Sequence, residues 1–249
     1  MNKIEVLVLN PAEVTTASKM TVFNARLTQR GHTIKSMEDL VRLLNKPYKA
    51  ETFNDICKLP HNNIKRFAKI NIAIVGASRR FLAQITRNKT GVDFCSGSLQ
   101  YSNYSDESDF VVPYELLDKE EPKKIFINSC KKSMQNYKKL NKLNIDNDSC
   151  GYMAPQSLRN VLIISANPVA WQQMISQRVC RRNTKETQYV MLLIWKELYK
   201  LDPVLFADCA PKCCNEGKFS CGKPCKNKTP IEILEEDFPL LKERFKNEN

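Results

Sequence analysis

Gln84, Arg87, Ser98, Arg159 and Arg178 stand out in a chain that is otherwise poor in catalytic groups. An arginine guanidinium is a planar fork of donors, shaped to clasp a phosphate or the hydrogen-bonding edge of a pyrimidine. Amide and hydroxyl side chains complete such a grip without adding charge. Other chemistries have little to draw on. His32 and His61 are the two histidines, too few for a Ser-His-Asp hydrolase or a histidine-rich metal centre, and no cysteine has an evident base beside it. The seven glycines, Gly31, Gly76, Gly91, Gly97, Gly151, Gly217 and Gly222, include no set with the spacing of a dinucleotide-binding fingerprint or a phosphate-binding loop. Side chains must therefore hold any nucleotide that binds.

The elements that would position these residues can be read from the hydrophobic pattern. Residues 4–9 form a short buried strand, and Ser36 with Glu38 and Asp39 caps a helix whose apolar face is Met37, Leu40, Val41 and Leu44. Ile70, Ile72 and Ile74 alternate along a second strand. Gly76-Ala77-Ser78 then opens a helix running to about Lys89, stopped by Thr90-Gly91. In that helix Ala77, Phe81 and Ile85 line one stripe, and Gln84, Arg87 and Asn88 share another at i, i+3 and i+4. Residues 92–105, rich in serine and tyrosine, read as an ordered loop. Phe126, Cys130, Met134 and Tyr137 mark a solvated amphipathic helix, with a flexible piece at 141–150. Val161 to Ile164 form another strand. A long helical pattern follows from Val169 to Tyr199, with Arg178, Arg181 and Arg182 in its middle and Asp202-Pro203 as its stop.

Composition narrows the class. The chain has 249 residues, 42% of them hydrophobic, enough for a real core. Lys plus Arg number 39 against 27 Asp plus Glu, a net charge of +12, which suits nucleic acid, an acidic membrane surface or anionic nucleotides and cofactors. The first apolar stretch, residues 6–9, ends at Asn10-Pro11 and is too short for a secretory or membrane segment. A reducing cytoplasm is therefore expected, with the ten cysteines as thiols or metal ligands.

Several segments resemble one family in order along the chain. The run from Gly76 to Lys89 followed by Ser98-Leu99-Gln100-Tyr101-Ser102 is similar to the signature of the flavin-dependent thymidylate synthases. That signature has a Gln three residues before an Arg-His-Arg, then a spacer and Ser-x-Arg-Tyr. Leu59-Pro60-His61 resembles the family's upstream His-containing stretch and Leu158-Arg159-Asn160-Val161-Leu162 its Ala-Arg-x-Val-Leu segment. Gln177-Arg178-Val179-Cys180 resembles the family's Leu-Arg-x-Cys. The stretch from Cys214 to Gly222 is similar to a cysteine-rich tail of some members.

The resemblance implies an α/β subunit with an antiparallel-rich sheet flanked by long helices, divided into a catalytic domain over 1–205 and a cysteine-rich tail with a short helix over 206–249. It implies a homotetramer that binds FAD and converts dUMP to dTMP with NADPH and methylenetetrahydrofolate. Carried over, Gln84, Arg87, Ser98 and Arg159 bind dUMP, Ser98 at its phosphate. Arg178 binds it too and polarises its N3/O4 edge as the catalytic residue. Asn63, Asn88, Asn167 and Gln173 contact the flavin.

The chain departs from the pattern in places. Asn88 and Lys89 replace the His and second Arg, Gln100 the Arg before Tyr101, and Val169 a common flavin-phosphate Arg, and residues 92–98 carry one extra residue. These changes leave room for a paralogue acting on a related pyrimidine nucleotide, for example by hydroxymethyl transfer, or for a non-catalytic subunit. A reading of another class is a basic, zinc-bearing nucleic-acid-binding protein. Cys209, Cys213, Cys214, Cys221 and Cys225 could supply four thiolates to one zinc, though paired C-x₂-C knuckles and aromatics interleaved with lysines are missing. No residue is assigned as a metal ligand, and no nucleic-acid or membrane partner is expected. Asp93 and Glu186 read as solvated carboxylates, not as acid or base.

Overall fold

The structure, a computed structural model, describes residues 4–104, 109–215, 217–222, 225 and 227–242. Ser105 of the expected loop and Glu216 of the tail lie outside them.

Four strands, β1 (Glu5–Val8), β2 (Ile70–Ser78), β3 (Val92–Ser96) and β4 (Arg159–Ala166), form one antiparallel sheet in the order β1-β2-β4-β3. The alternation that marks a half-buried strand is clean. Ile70, Ile72, Ile74, Leu162 and Ile164 point into the core, whereas Val75, Val161 and Ile163 point outward. Nine helices among the described residues complete the fold: α1 (Pro11–Arg30), α2 (Met37–Leu44), α3 (Ala50–Lys58), α4 (Arg79–Ile85), α5 (Glu120–Lys142), α6 (Asn147–Gly151), α7 (Pro168–Arg178), α8 (Lys185–Leu201) and α9 (Pro230–Asp237).

The sheet's inner face packs on α8, which is buried continuously from Thr187 to Trp195, as a helix enclosed on all sides must be. Trp171 of α7 donates its indole N–H to the Ile70 carbonyl at 3.1 Å, and Trp195 donates to the Phe206 carbonyl at 2.7 Å. Leu205, Phe206, Cys209, Ile233, Leu234 and Phe238 join the same core. Asp202 ends α8 as expected. Its buried carboxylate accepts from the Ser18 hydroxyl and backbone N–H and from the Leu205 N–H, tying α1 to the start of the C-terminal segment.

Several expectations are corrected. Residues 92–96 are an edge strand, not a loop; their outward positions, Asp93 and Cys95, are polar because that side is exposed. Residues 141–150 are ordered, with α5 running to Lys142 and α6 capped by Asp146. The pattern from 169 to 199 is two helices. Thr184 caps the second, so Arg181 and Arg182 lie in a link instead of mid-helix. The helix expected from 76 is α4 alone, because β2 runs on to Ser78, whose hydroxyl caps α4 by accepting from the Phe81 N–H at 3.1 Å. The Ser36–Asp39 capping box forms on α2, but Met37 and Val41 stay exposed and Leu43 is the buried residue.

Candidate functional site

The polar candidates fall in three places within one subunit. The first is where α4 and α7 end. Gln84 occupies the last turn of α4 and is half-buried, and Arg87 follows the helix, exposed. The stripe of Gln84, Arg87 and Asn88 is therefore not helical: Asn88 turns back to donate its side-chain amide to the Ile85 carbonyl at 3.0 Å. Arg178 is the last residue of α7 and half-buried. Its Nε is buried without a hydrogen bond, and burial, reinforced by the nearby positive charge of Arg87, pulls its pKa below the usual arginine value. Neither guanidinium has a carboxylate partner among the described residues. A half-buried guanidinium beside a second, exposed one, with no carboxylate partner among the described residues, is unfavourable for the protein alone and suited to a ligand with anionic or electron-rich oxygens.

The second place is the β2/β4 pairing. Gly76, at φ 82°, sits at a bulge between Val75 and Ala77, a backbone shape that glycine adopts without strain. The bulge turns the Gly76 carbonyl toward Arg159, which donates to it at 2.6 Å and also pairs through Nε with Asp109 at 3.2 Å. Arg159 is thus anchored by protein groups, unlike Arg178.

The third place is a cavity of about 470 Å³ that Ser98 lines with Arg79, Ser96, Gly97, Gln100 and Asp148, among others. None of the other four pyrimidine candidates lines it. The Ser98 hydroxyl accepts from the Gln100 N–H at 3.1 Å. Gly97 is required there by close approach: a Cβ would lie 2.6 Å from Tyr104 Oη and 2.7 Å from Asn160 Oδ1. Sequence reasoning missed Arg79. The signal was its place at the first position of α4, where the helix dipole disfavours a cation.

The cofactor candidates are also dispersed. Asn167 caps α7 by accepting from the Ala170 N–H at 3.0 Å, with its Nδ2 over Gly91. Asn63 is exposed in a short 3-10 turn, Asn62–Lys65, that packs beside α7. Gln173 and Val169 line a second cavity of about 470 Å³ with Asn62, Lys58 and Lys65. Lys65 is buried, which pulls its pKa down, and no carboxylate pairs with it among the described residues. It is a further cation that the sequence reading missed, at the cavity where Val169 stands in place of an arginine.

Glu186 is not solvated as expected. Its carboxylate accepts from the Ser78 N–H at 2.7 Å and hydroxyl at 2.6 Å, and burial raises its pKa despite those bonds. It joins α8 to the β2–α4 junction, a structural role. Asp93 is exposed and paired with Lys69 at 2.7 Å. Among the tail cysteines, Cys214 accepts from the Cys225 N–H at 3.2 Å, but among the described residues no group of three or more His, Cys, Asp or Glu could hold a metal ion. Burial pushes the Cys225 thiol up to about 11 and the Cys209 thiol higher still. Cys213 instead meets Cys180, the two sulfurs 3.6 Å apart. No helix among the described residues is long and apolar enough to cross a membrane.

Comparison with known proteins follows the same lines. The Thy1 family, described as thymidylate synthase complementing protein, matches residues 12–204. A flavin-dependent thymidylate synthase of Geobacter sulfurreducens is 22% identical over 178 residues, covering 70% of this chain and 76% of the relative. Among solved structures, the UMP/dUMP methylase PolB of Streptomyces cacaoi, bound with 5-Br dUMP, has a similar fold. Its TM-score is 0.65 at 15% identity, over 82% of this chain and 93% of that one. Thymidylate synthase X of Helicobacter pylori with FAD and dUMP gives 0.60 at 18% identity, over 83% and 98%. At these identities the structures speak to the fold, an antiparallel sheet with flanking helices.

Proposed function

The chain belongs to the Thy1 family, and we propose that it is a flavin-dependent enzyme that methylates dUMP reductively to dTMP, with methylenetetrahydrofolate and NADPH as co-substrates. The observation that carries this reading is half-buried Arg178 beside exposed Arg87, two like charges without a carboxylate partner among the described residues. A pyrimidine placed there would present its N3/O4 edge to Arg178. Negative charge grows on that edge as C5 becomes nucleophilic, and a fixed guanidinium stabilises it without reorganising. Gln84 and Arg87 orient the nucleotide beside it. The scheme needs no nucleophile from the protein, in keeping with two histidines and buried, high-pKa thiols.

The residues present fit a flavin dinucleotide in part. The α7 cavity offers Lys65 as a cation for its phosphates and Gln173 as an amide, with Asn63 on the adjoining turn; Asn88 and Asn167 each have one side-chain group committed to the backbone. When bound, the reduced flavin supplies the hydride that completes the methyl group. Lys65 takes over the charge that Val169 lacks.

The three places are completed by subunit assembly in this reading. Leu7, Val75, Val161 and Ile163 form an apolar patch on the outer face of the sheet, each at least 36% exposed. A single subunit leaves that face bare, whereas a second copy would cover it. The patch supports self-association, and the homotetramer that the family resemblance implies would let neighbouring subunits complete each site.

A second reading, transfer of a one-carbon group to a related pyrimidine nucleotide, is favoured by the altered hallmark at Asn88, Lys89 and Gln100 and by the fold shared with a UMP/dUMP methylase. One experiment separates them. The purified protein should carry flavin absorbance in stoichiometric amount, release tritium from 5-labelled dUMP with NADPH and methylenetetrahydrofolate, and yield a product with the mass of dTMP. A product mass differing from dTMP would favour the second reading. A colourless protein that takes up no added FAD would remove both.

A further inference from the structure

Cys180 and Cys213 have no part in the proposed chemistry, yet their sulfurs lie 3.6 Å apart and both residues are partly exposed. The contact joins two separately anchored pieces of backbone. Cys180 follows α7, just past Arg178, and its carbonyl accepts from the Asn183 N–H at 2.9 Å and side-chain amide at 3.1 Å. Cys213 sits in the 3-10 turn Lys212–Asn215, beyond the fully buried Cys209, and Ser176 of α7 donates its hydroxyl to the Ala210 carbonyl at 3.0 Å. With both backbones held, each thiol meets the other at an effective concentration far above that of a thiol in solution. Four other cysteines, Cys57, Cys130, Cys209 and Cys225, are buried, and burial raises each thiol's pKa and so suppresses the thiolate that exchange requires. A tetrahedral metal site asks for four donors, and among the described residues no group of three or more His, Cys, Asp or Glu could hold a metal ion. Two thiols in contact are suited instead to bond to each other. Cys180 lies within the stretch that matches the family and Cys213 beyond its end at residue 204, so the pairing belongs to this chain's C-terminal segment and not to the shared fold.

We infer that Cys180 and Cys213 are a redox-active pair, closing to a reversible disulfide that clamps residues 210–215 to the end of α7. Torsion about the two Cα–Cβ bonds brings sulfurs already in contact to bonding distance. The oxidant is a low-molecular-weight disulfide such as glutathione disulfide. One cysteine, as its thiolate, attacks a sulfur of that molecule, forming a mixed disulfide and releasing one glutathione thiolate, which takes up the proton the cysteine gave up. The second cysteine then loses its proton and attacks the first cysteine's sulfur. The Cys180–Cys213 bond forms and the second glutathione leaves as a thiol. The protein loses two S–H bonds and gains one S–S bond, and two electrons reduce the small disulfide to two thiols. The clamped segment includes Ala210 and Lys212, which line the α7 cavity with Gln173. The bond rests on the thiol geometry alone, whatever ligand that cavity takes.

The test treats the purified full-length chain with glutathione disulfide, blocks the remaining thiols with iodoacetamide and maps the peptides by mass spectrometry without reduction. A Cys180–Cys213 cross-linked peptide should appear, both of its cysteines escaping alkylation, and dithiothreitol should remove it. Oxidation should raise the melting temperature by about 5–10 °C, because the bond closes a loop spanning 33 positions. Cys180→Ser and Cys213→Ser should each melt with the reduced parent, lose the rise on oxidation and keep glutathione on the cysteine that remains. A thiol needed only for packing would instead lower the melt under reducing conditions when replaced. The cross-link map of the parent chain reads the pair even if a variant fails to fold. Glutathione held on both cysteines without the cross-link, a cross-link between other cysteines, or an unchanged melting temperature once the bond has formed would overturn the inference. So would a pair that resists alkylation until a chelator removes zinc.

Discussion

Arg178 and Arg181 lie three residues apart at the junction of α7 and α8, and the structure treats them in opposite ways. Arg181 is enclosed and compensated. Its Nε donates to both Asp237 oxygens at 2.9 Å and its Nη2 to Glu236 at 2.8 Å, while Gln188 adds a bond to Asp237 at 2.6 Å. Burial alone would lower its pKa, but the Asp237 bonds and surrounding carboxylates win and raise it. Arg178 is half-buried too, yet it faces Arg87 and leaves Nε unbonded, so its pKa moves the other way. The first arginine fastens α9 to α8; the second has no carboxylate partner among the described residues, in keeping with the ligand contact proposed for it. Compensation, more than burial or residue type, is what differs between these two arginines.

Breaking the compensated side should give the largest change in stability. Arg181→Ala leaves the Asp237 carboxylate, 9% exposed, without its cation, and should cost about 3–5 kcal/mol in urea unfolding. Pyrimidine binding per folded molecule should change little.

Breaking the uncompensated side should do the reverse. Arg178→Ala should lower kcat on the order of 10²–10³-fold, with flavin still bound and no drop in the urea midpoint. A loss of stability comparable with that of Arg181→Ala would place Arg178 among the structural arginines instead.

A milder change sharpens the comparison. Arg87→Gln removes the like charge that depresses Arg178, so the unliganded protein should gain up to about 0.5 kcal/mol of stability while losing about tenfold in dUMP affinity, as expected for one charged hydrogen bond. Thermal melts with and without dUMP would show the two effects with opposite sign.

The smallest effect is the pH dependence of the α9 clasp. Glu236 has its pKa lowered, first by the 2.6 Å bond from Lys228 and then by Arg181. Because the folded value lies below the unfolded one, its stabilisation is complete above the ordinary value of 4.5 and is lost as pH falls through the folded value. In Glu236→Gln the urea midpoint should fall less steeply below pH 4.5 than in the parent chain. Salt should shrink the difference, since the pair is exposed.

Much of the scaffold is legible in the sequence, because burial imposes periodicity. The alternation at Ile70, Ile72 and Ile74 marks β2, and the spacing of Phe126, Cys130, Met134 and Tyr137 marks the inward face of α5. Failures occur where another constraint overrides the pattern. The edge strand β3 pairs on one side only and carries polar residues outward, so it reads as a loop. The break between α7 and α8 lies in a stretch of Arg and Asn without glycine or proline, marked only by the Thr184 cap. The candidate site was legible as a set of residue types. Its division into three places was not, because the distance between Ser98 and Arg178 depends on how β3 and α7 pack, not on spacing along the chain. Arg79 and Lys65 escaped notice because each is informative only through what it lacks, an acceptor in one case and a carboxylate in the other.

The central claim is that Arg178 is kept uncompensated in order to act on a pyrimidine. Tritium release from 5-labelled dUMP, with NADPH and methylenetetrahydrofolate, compares the parent chain with Arg178→Ala at equal flavin content. The account predicts release by the parent and a loss on the order of 10²–10³-fold in the variant. Equal release by both proteins would contradict it.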